Sequence, residues 1–331
     1  MIWSKKRRRG LLFLSLALLL LLTEWGLEHS TAFADAVDGL VGMRLRLFLS
    51  RLSARAPFSV TELFLLLLPL CSLLLFLRAI RASRTRRGMR RILGFFLALS
   101  LVFFFLYVTT LSAGRYRTSP SAALALDTSP PTEEELIACA LWLSSLAEEP
   151  TAPPDDASLS EALSDAYRRA EKTYGIAANP FACPKTTATP LFLHLGLLGL
   201  YAFPFGEVTL ARECTGASRV FTLAHELAHA AGYTAEADAD LVAFLVCLDS
   251  GDPALRYAAA VGMLGRVLHV LSVASPSAWE AVSDTLPDGL RREYDGSDRF
   301  AEGAAASLSV DPPAYDESVL LLCGVFRMQG E

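Results

Sequence analysis

Three uninterrupted apolar runs, residues 11–22, 63–77 and 92–111, constrain this chain before anything else does. None holds a charge, and about 20 such residues are what a helix needs to cross a bilayer. Residues 92–111 match that length. The run 63–77 is shorter, but Ala79 and Ile80 extend it once Arg78 turns its guanidinium back to the interface. Residues 11–22 follow Lys5, Lys6, Arg7, Arg8 and Arg9 and read as a signal anchor. Cleavage near Ala32-Phe33-Ala34 is the alternative. Residues 1–112 are therefore predicted to form a membrane domain of about three transmembrane helices, with the lipid bilayer as partner.

Charge divides the chain at the same place. The 331 residues are 53% hydrophobic and 20% charged, too apolar for a wholly soluble protein and too charged for a wholly membrane one. The net charge of −5 splits into +11 over residues 1–112 and −16 over residues 113–331. An acidic folded part repels phosphates and the basic residues sit at membrane edges, so no nucleic-acid partner is expected. Seven arginines lie between residues 78 and 91, and positive residues stay on the cytoplasmic side. This predicts a multi-pass protein of the cell membrane, its N-terminus cytoplasmic and everything after Leu111 extracytoplasmic. The pattern around Met43, Leu45, Leu47, Phe48 and Leu52 predicts an amphipathic helix lying on the outer membrane surface.

The outer part reads as mainly helical. Residues 113–157 form a linker around one short helix, capped by Thr132 and Glu135. Residues 158–331 form a metal-binding domain. It opens with a helix over 158–173, followed by a buried turn in the Gly- and Pro-broken run 190–210 and a strand over 206–210. Helices follow from Arg219, with residues 257–273 as the central one because Arg266 and His269 interrupt an otherwise membrane-like stretch. Five cysteines outside the spans leave room for one or two disulfides, with Cys247 read as a buried apolar residue.

One motif carries chemistry. In Phe221-Thr-Leu-Ala-His225-Glu226-Leu-Ala-His229-Ala-Ala-Gly232, two histidines four apart share one helix face and reach one Zn²⁺. Glu226 sits beside the metal, placed to take a proton from water and hand it to a leaving amine. Catalytic zinc takes three protein ligands and an open position. Ala235 stands where a third histidine would follow, so the ligand is sought in Glu236-Ala-Asp-Ala-Asp240, whose end residues share a face. Glu236 is assigned as the third ligand and Asp240 as the acceptor that orients a ligand histidine. The exchange of these two roles is the alternative.

The metal helix with Glu236-x-x-Ala239-Asp240 resembles zincin metallopeptidases of the glutamate-ligand type. Over nearly its whole length the chain resembles a bacterial family of uncharacterised multi-pass membrane proteins, catalogued as a domain of unknown function. That resemblance is carried by Pro57-Phe58-Ser59 with Glu62, Arg115-Tyr116-Arg117, Pro184-Lys185, the stretch from Tyr201 to Val208, His225, His229, Glu236, Arg256-Tyr257 and Tyr315. It implies membrane topology and zinc dependence and names no target.

The expectation is thus a membrane-anchored zinc metallopeptidase with one Zn²⁺ per chain, hydrolysing a peptide or protein substrate outside the cytoplasm. The substrate is expected to lie extended beside the strand at 206–210. A non-catalytic, metal-stabilised sensing or scaffold protein and a zinc amidase acting on cell-wall material are the alternatives.

Overall fold

The computed structural model describes residues 5–147, 155–177, 183–291 and 316–329. The elements run α1 (Lys5–His29), α2 (Thr31–Val37), a π turn (Asp38–Gly42), α3 (Met43–Ser53), α4 (Val60–Ser83) and α5 (Arg86–Leu106). A second π turn (Tyr107–Ser112) and the short α6 (Ala113–Tyr116) and α7 (Pro120–Ala123) lead to α8 (Glu133–Leu146) and α9 (Asp156–Tyr174). Then come β1 (Lys185–Thr186), α10 (Leu191–His194), β2 (Gly199–Ala202), β3 (Glu207–Leu210), α11 (Gly216–Ala231), α12 (Glu236–Leu248), α13 (Pro253–Ala274) and α14 (Pro276–Thr285). The terminal helix is Glu317–Gln329. The fold is mainly helical with one small sheet, as the sequence predicts.

Four helical stretches are long and apolar enough to cross a membrane: Gly10–His29, Val60–Ser83, Arg86–Tyr116 and Pro253–Ala274. The first three carry the expected runs. At 1.5 Å per residue, the 24 residues of α4 reach about 36 Å, enough for a hydrocarbon core of about 30 Å. Ser59 caps its N-terminus, accepting from the Glu62 amide, and Thr85 caps α5 through the Gly88 amide. The arginine-rich turn between α4 and α5 is thereby fixed at one end of the bundle. The fourth stretch is α13, which lies in the core beneath α8, α11 and α12 as the interruption by Arg266 and His269 predicts.

Ala34, inside the alternative cleavage signal, is fully buried with Leu27, Val108 and Ala113. The helix α8 follows its expected capping box, with Thr132 and Glu135 exchanging hydrogen bonds. Read in the sequence as part of a linker, α8 instead packs along α13, and Leu136, Cys139, Ala140 and Leu143 enter the main core. The six cysteines are free. Cys139 and Cys323 lie side by side in the core, hydrogen-bonded to each other, and Cys247 is buried as expected.

The sheet has the order β1-β3-β2, with β1 parallel and β2 antiparallel to β3. Gly199 pairs with Leu210 and Ala202 with Glu207. The expected strand at 206–210 is β3, but it is the central strand. The edge next to the metal helix belongs to β2, which the glycine-rich sequence disguised as a turn. Of these two strands, β2 and not β3 lies at an edge of the sheet.

Helix α3 also departs from expectation. It does not lie wholly on a membrane surface: one face, with Arg46, Ser50 and Ser53, is buried against α11, β3 and the second π turn. Phe48 and Leu52 occupy the exposed face.

Two carboxylates fasten the membrane helix to the sheet. Glu207 of β3 accepts from the Ser59 hydroxyl (2.8 Å) and from the backbone amides of Thr61 (2.9 Å) and Val60 (3.1 Å), closing the N-terminus of α4. In return Glu62, in the first turn of α4, accepts from the amides of Ala188 and Thr189, both at 2.8 Å, and from the Thr189 hydroxyl at 2.6 Å. The Val60 and Thr61 amides at the start of α4 thus meet a buried negative charge, which also suits the helix dipole.

Candidate metal centre

The alanine-rich α11 buries Ala217, Ala224, Ala228, Ala230 and Ala231, which lets neighbouring helices approach its backbone closely. It ends at Gly232, whose φ of +106° is left-handed and favours glycine. A side chain there would also strike the guanidinium of Arg46, 2.4 Å from the position of a Cβ. A short turn then starts α12 at Glu236, so the first turn of α12 comes to stand beside the last two turns of α11.

This brings together the three residues assigned as ligands. One ligand atom from each of His225, His229 and Glu236 lies within 4.8 Å of the others. Nε2 of His225 is 3.1 Å from Oε2 of Glu236, and Nε2 of His229 is 3.6 Å from Oε1. Tetrahedral zinc with ligands about 2.05 Å away separates them by about 3.3 Å, so the spacing fits.

The other ring nitrogens are already engaged. Nδ1 of His225 donates to Oδ1 of Asp240 (2.9 Å), and Nδ1 of His229 donates to the Tyr233 carbonyl (2.7 Å). Both bonds turn the rings so that Nε2 faces the cluster, where in the neutral imidazole it carries the lone pair. The donor set therefore suits a zinc ion. Asp240 is fully buried, and its second oxygen accepts from the Ser318 hydroxyl (2.7 Å) and pairs with Arg266 (2.8 Å). It stands in the position assigned to the orienting acceptor, while Glu236, exposed to solvent, stands with the two histidines in the position assigned to the third ligand. Asp238 points away from the cluster, towards Glu317, and burial with that neighbour's charge lifts its carboxyl to about 6.

Charge follows geometry. Burial alone would push His225 down, but hydrogen bonds to Asp240 and Glu236 outweigh it and raise the imidazole to about 10. Glu236 is held far below the usual carboxylate range by His225 and then His229. Glu226 is buried, and burial pushes its carboxyl up, moderated by the two histidines. Its carboxylate accepts from the Tyr201 amide of β2. At Gly199 a Cβ would lie 2.8 Å from Oε1 of Glu226, so glycine lets β2 rest directly on that residue. A buried, proton-accepting carboxylate beneath a strand edge is equipped to exchange protons with water and a chain lying along that edge.

Several participants carried no local signal. Arg46 is fully buried, paired with Asp38 at 2.7 Å and donating to the carbonyls of Thr110 and Ala231, both at 3.3 Å. It closes the C-terminal end of α11, one turn from His229. Arg117 joins Asp38 at 3.1 Å and lies over the Tyr233 ring at 4.6 Å. Ser318 and Arg266 come from helices distant in sequence. Tyr233 was findable, since the residue after a helix-ending glycine returns its carbonyl to the last turn. Glu207 belongs to the α4 fastening, and Tyr257 is buried in the main core. Tyr315 lies outside the described residues.

The fold and this cluster define a class: a mainly helical chain with several helices fit to cross a membrane and a His-His-Glu cluster beside a small sheet. The chain matches the family described as "Protein of unknown function (DUF3810)" over residues 44–315 and belongs to it. No curated protein and no solved structure matches.

Proposed function

We propose that this protein is a membrane-anchored zinc metallopeptidase whose site faces outside the cytoplasm. The observation that supports it most is the arrangement of His225 and His229. Both present Nε2 to Glu236 while their Nδ1 atoms are held, and Glu226 is buried alongside under β2. A zinc ion held by His225, His229 and Glu236 would supply a Lewis acid that polarises a carbonyl and acidifies water. Glu226, its carboxyl raised by burial, takes a proton from the attacking water and returns it to the departing amine. As an edge strand, β2 aligns an extended peptide by main-chain hydrogen bonds, leaving the side chains to set preference. Orientation rests on the arginines between residues 78 and 91, which keep that turn cytoplasmic and put the site on the opposite side.

The test uses the purified full chain and casein. Glu226→Gln should lower hydrolysis by about 10²–10⁴-fold while zinc per chain, read by elemental mass spectrometry, stays unchanged. Retained hydrolysis overturns the proton-transfer role. Offering peptidoglycan fragments in parallel separates peptide from wall amide: release from the wall material alone would assign an amidase instead.

A further inference from the structure

Among the described residues, large apolar side chains exposed outside the stretches Gly10–His29, Val60–Ser83 and Arg86–Tyr116 are concentrated. Nine of twelve lie either between residues 31 and 58 or at Leu193 and Leu195. Phe58 directly precedes α4, and the turn at Leu193–Leu195 belongs to the segment that packs on its first turns. The Phe64 ring meets Phe205 of the β2–β3 hairpin with centroids 5.3 Å apart. Leu65 packs with the cluster of Phe192, Ala211 and Cys214, which Leu197, Leu198 and Leu200 also join. The buried residues of α4 are Thr61 and Glu62, and from Leu66 to Leu77 the residues of the helix are exposed. The hairpin therefore touches α4 within about one helical turn, roughly 5 Å, of where it would enter lipid.

On α3 the exposed face combines Phe48 and Leu52 with the exposed Arg44, and Arg55 and Phe58 follow. Apolar side chains edged by guanidinium groups suit the layer where acyl chains meet phosphate headgroups. The exposed turn 193–196 leads into β2 at Gly199, the residue on which Glu226 rests. Four residues of extended chain span at most about 14 Å, so the edge of β2 begins within that distance of Leu195.

We propose that the turn 193–196 and the outward face of α3 rest in the interfacial layer of the bilayer that α4 crosses. The site then acts on an extended segment of a polypeptide tethered to that same membrane. The substrate half of this proposal rests on the metallopeptidase reading; the bilayer contact does not.

The full chain is placed in nanodiscs of phosphatidylcholine with a quarter phosphatidylglycerol, the acyl chains brominated to quench tryptophan. The emission added by Leu195→Trp should be quenched, and that added by Leu141→Trp, on the exposed side of α8, should not. Equal quenching of the two overturns the bilayer contact. Casein is then offered free, or joined to a single polyleucine span in the same disc. Tethering raises the effective concentration, and cleavage of the tethered form should be about tenfold faster or more. Leu195→Asp should erase that advantage with zinc per chain unchanged. An advantage that survives Leu195→Asp, or equal cleavage of both forms, overturns the tethered-substrate assignment. No cleavage of either form by zinc-loaded wild type overturns the metallopeptidase reading and the substrate assignment with it, while the quenching result stands on its own.

Discussion

Asp240 illustrates how much of a candidate metal site lies one bond beyond the residues assigned as ligands. Its two oxygens are divided between His225 and the Ser318–Arg266 pair, so the carboxylate cannot turn without leaving a buried donor unmet. Asp240→Asn should weaken zinc binding about 10–100-fold, measured by competition with a chelator, since the imidazole loses its ionic anchor. The same contacts set a pH response. The His225 imidazole is raised to about 10 in the metal-free protein, against an ordinary value of 6.5. Its stabilisation is therefore fully present below about 6.5 and lost as pH rises through about 10. Thermal melts of metal-free protein should fall in Tm between pH 7 and pH 10. The His225→Gln variant, without that proton, should show a flatter profile. The ligand residues were legible because two histidines at helical spacing and an acid at the next helix start form a local pattern. Arg46, Ser318 and Arg266 were not, because each reaches the site across a tertiary contact that no spacing encodes.

At the scale of elements, α3 is the piece whose role the sequence conceals. Its apolar pattern is compatible with lying on a membrane, and only the buried pairing of Arg46 with Asp38 shows that one face closes the end of α11. Arg46 stands opposite the carbonyl of Ala231 and against Gly232, where a cation complements the helix C-terminus. Arg46→Met leaves Asp38 buried with Arg117 as its remaining cation, and breaking such a pair costs about 3–5 kcal/mol. Denaturant unfolding of the full chain should register that loss, with zinc affinity falling because the turn carrying the Tyr233 carbonyl is no longer held. Unchanged stability and affinity would show the pair to be incidental. Helix α8 was readable from its capping box and α4 from its apolar run, whereas β2 was not: its Gly199 is there for proximity to Glu226 and reads locally as a turn residue.

For the whole molecule, the charge division near residue 112 suggests an anchor joined to an independent outer domain, and the packing describes something else. Arg46, Ser59 and Glu62 lie before that boundary, yet they bond residues of α11, β3 and the 188–189 loop. A fragment of residues 113–331 would leave Glu207 buried without the amides of Val60 and Thr61. It should unfold at markedly lower denaturant than the full chain and bind zinc more weakly, both measurable on the two proteins side by side. Equal behaviour would restore the two-domain view.

The exchange between Glu207 and the start of α4, answered by Glu62 and the 188–189 loop, has a bearing on descent as well as on stability. A gene fusion at residue 113 would join the C-terminal part to foreign helices lacking Ser59 and Glu62, and so strip the sheet of its counterpart. A form cut near residue 113, or one given other membrane helices, would have to rebuild that junction before the sheet could hold its shape.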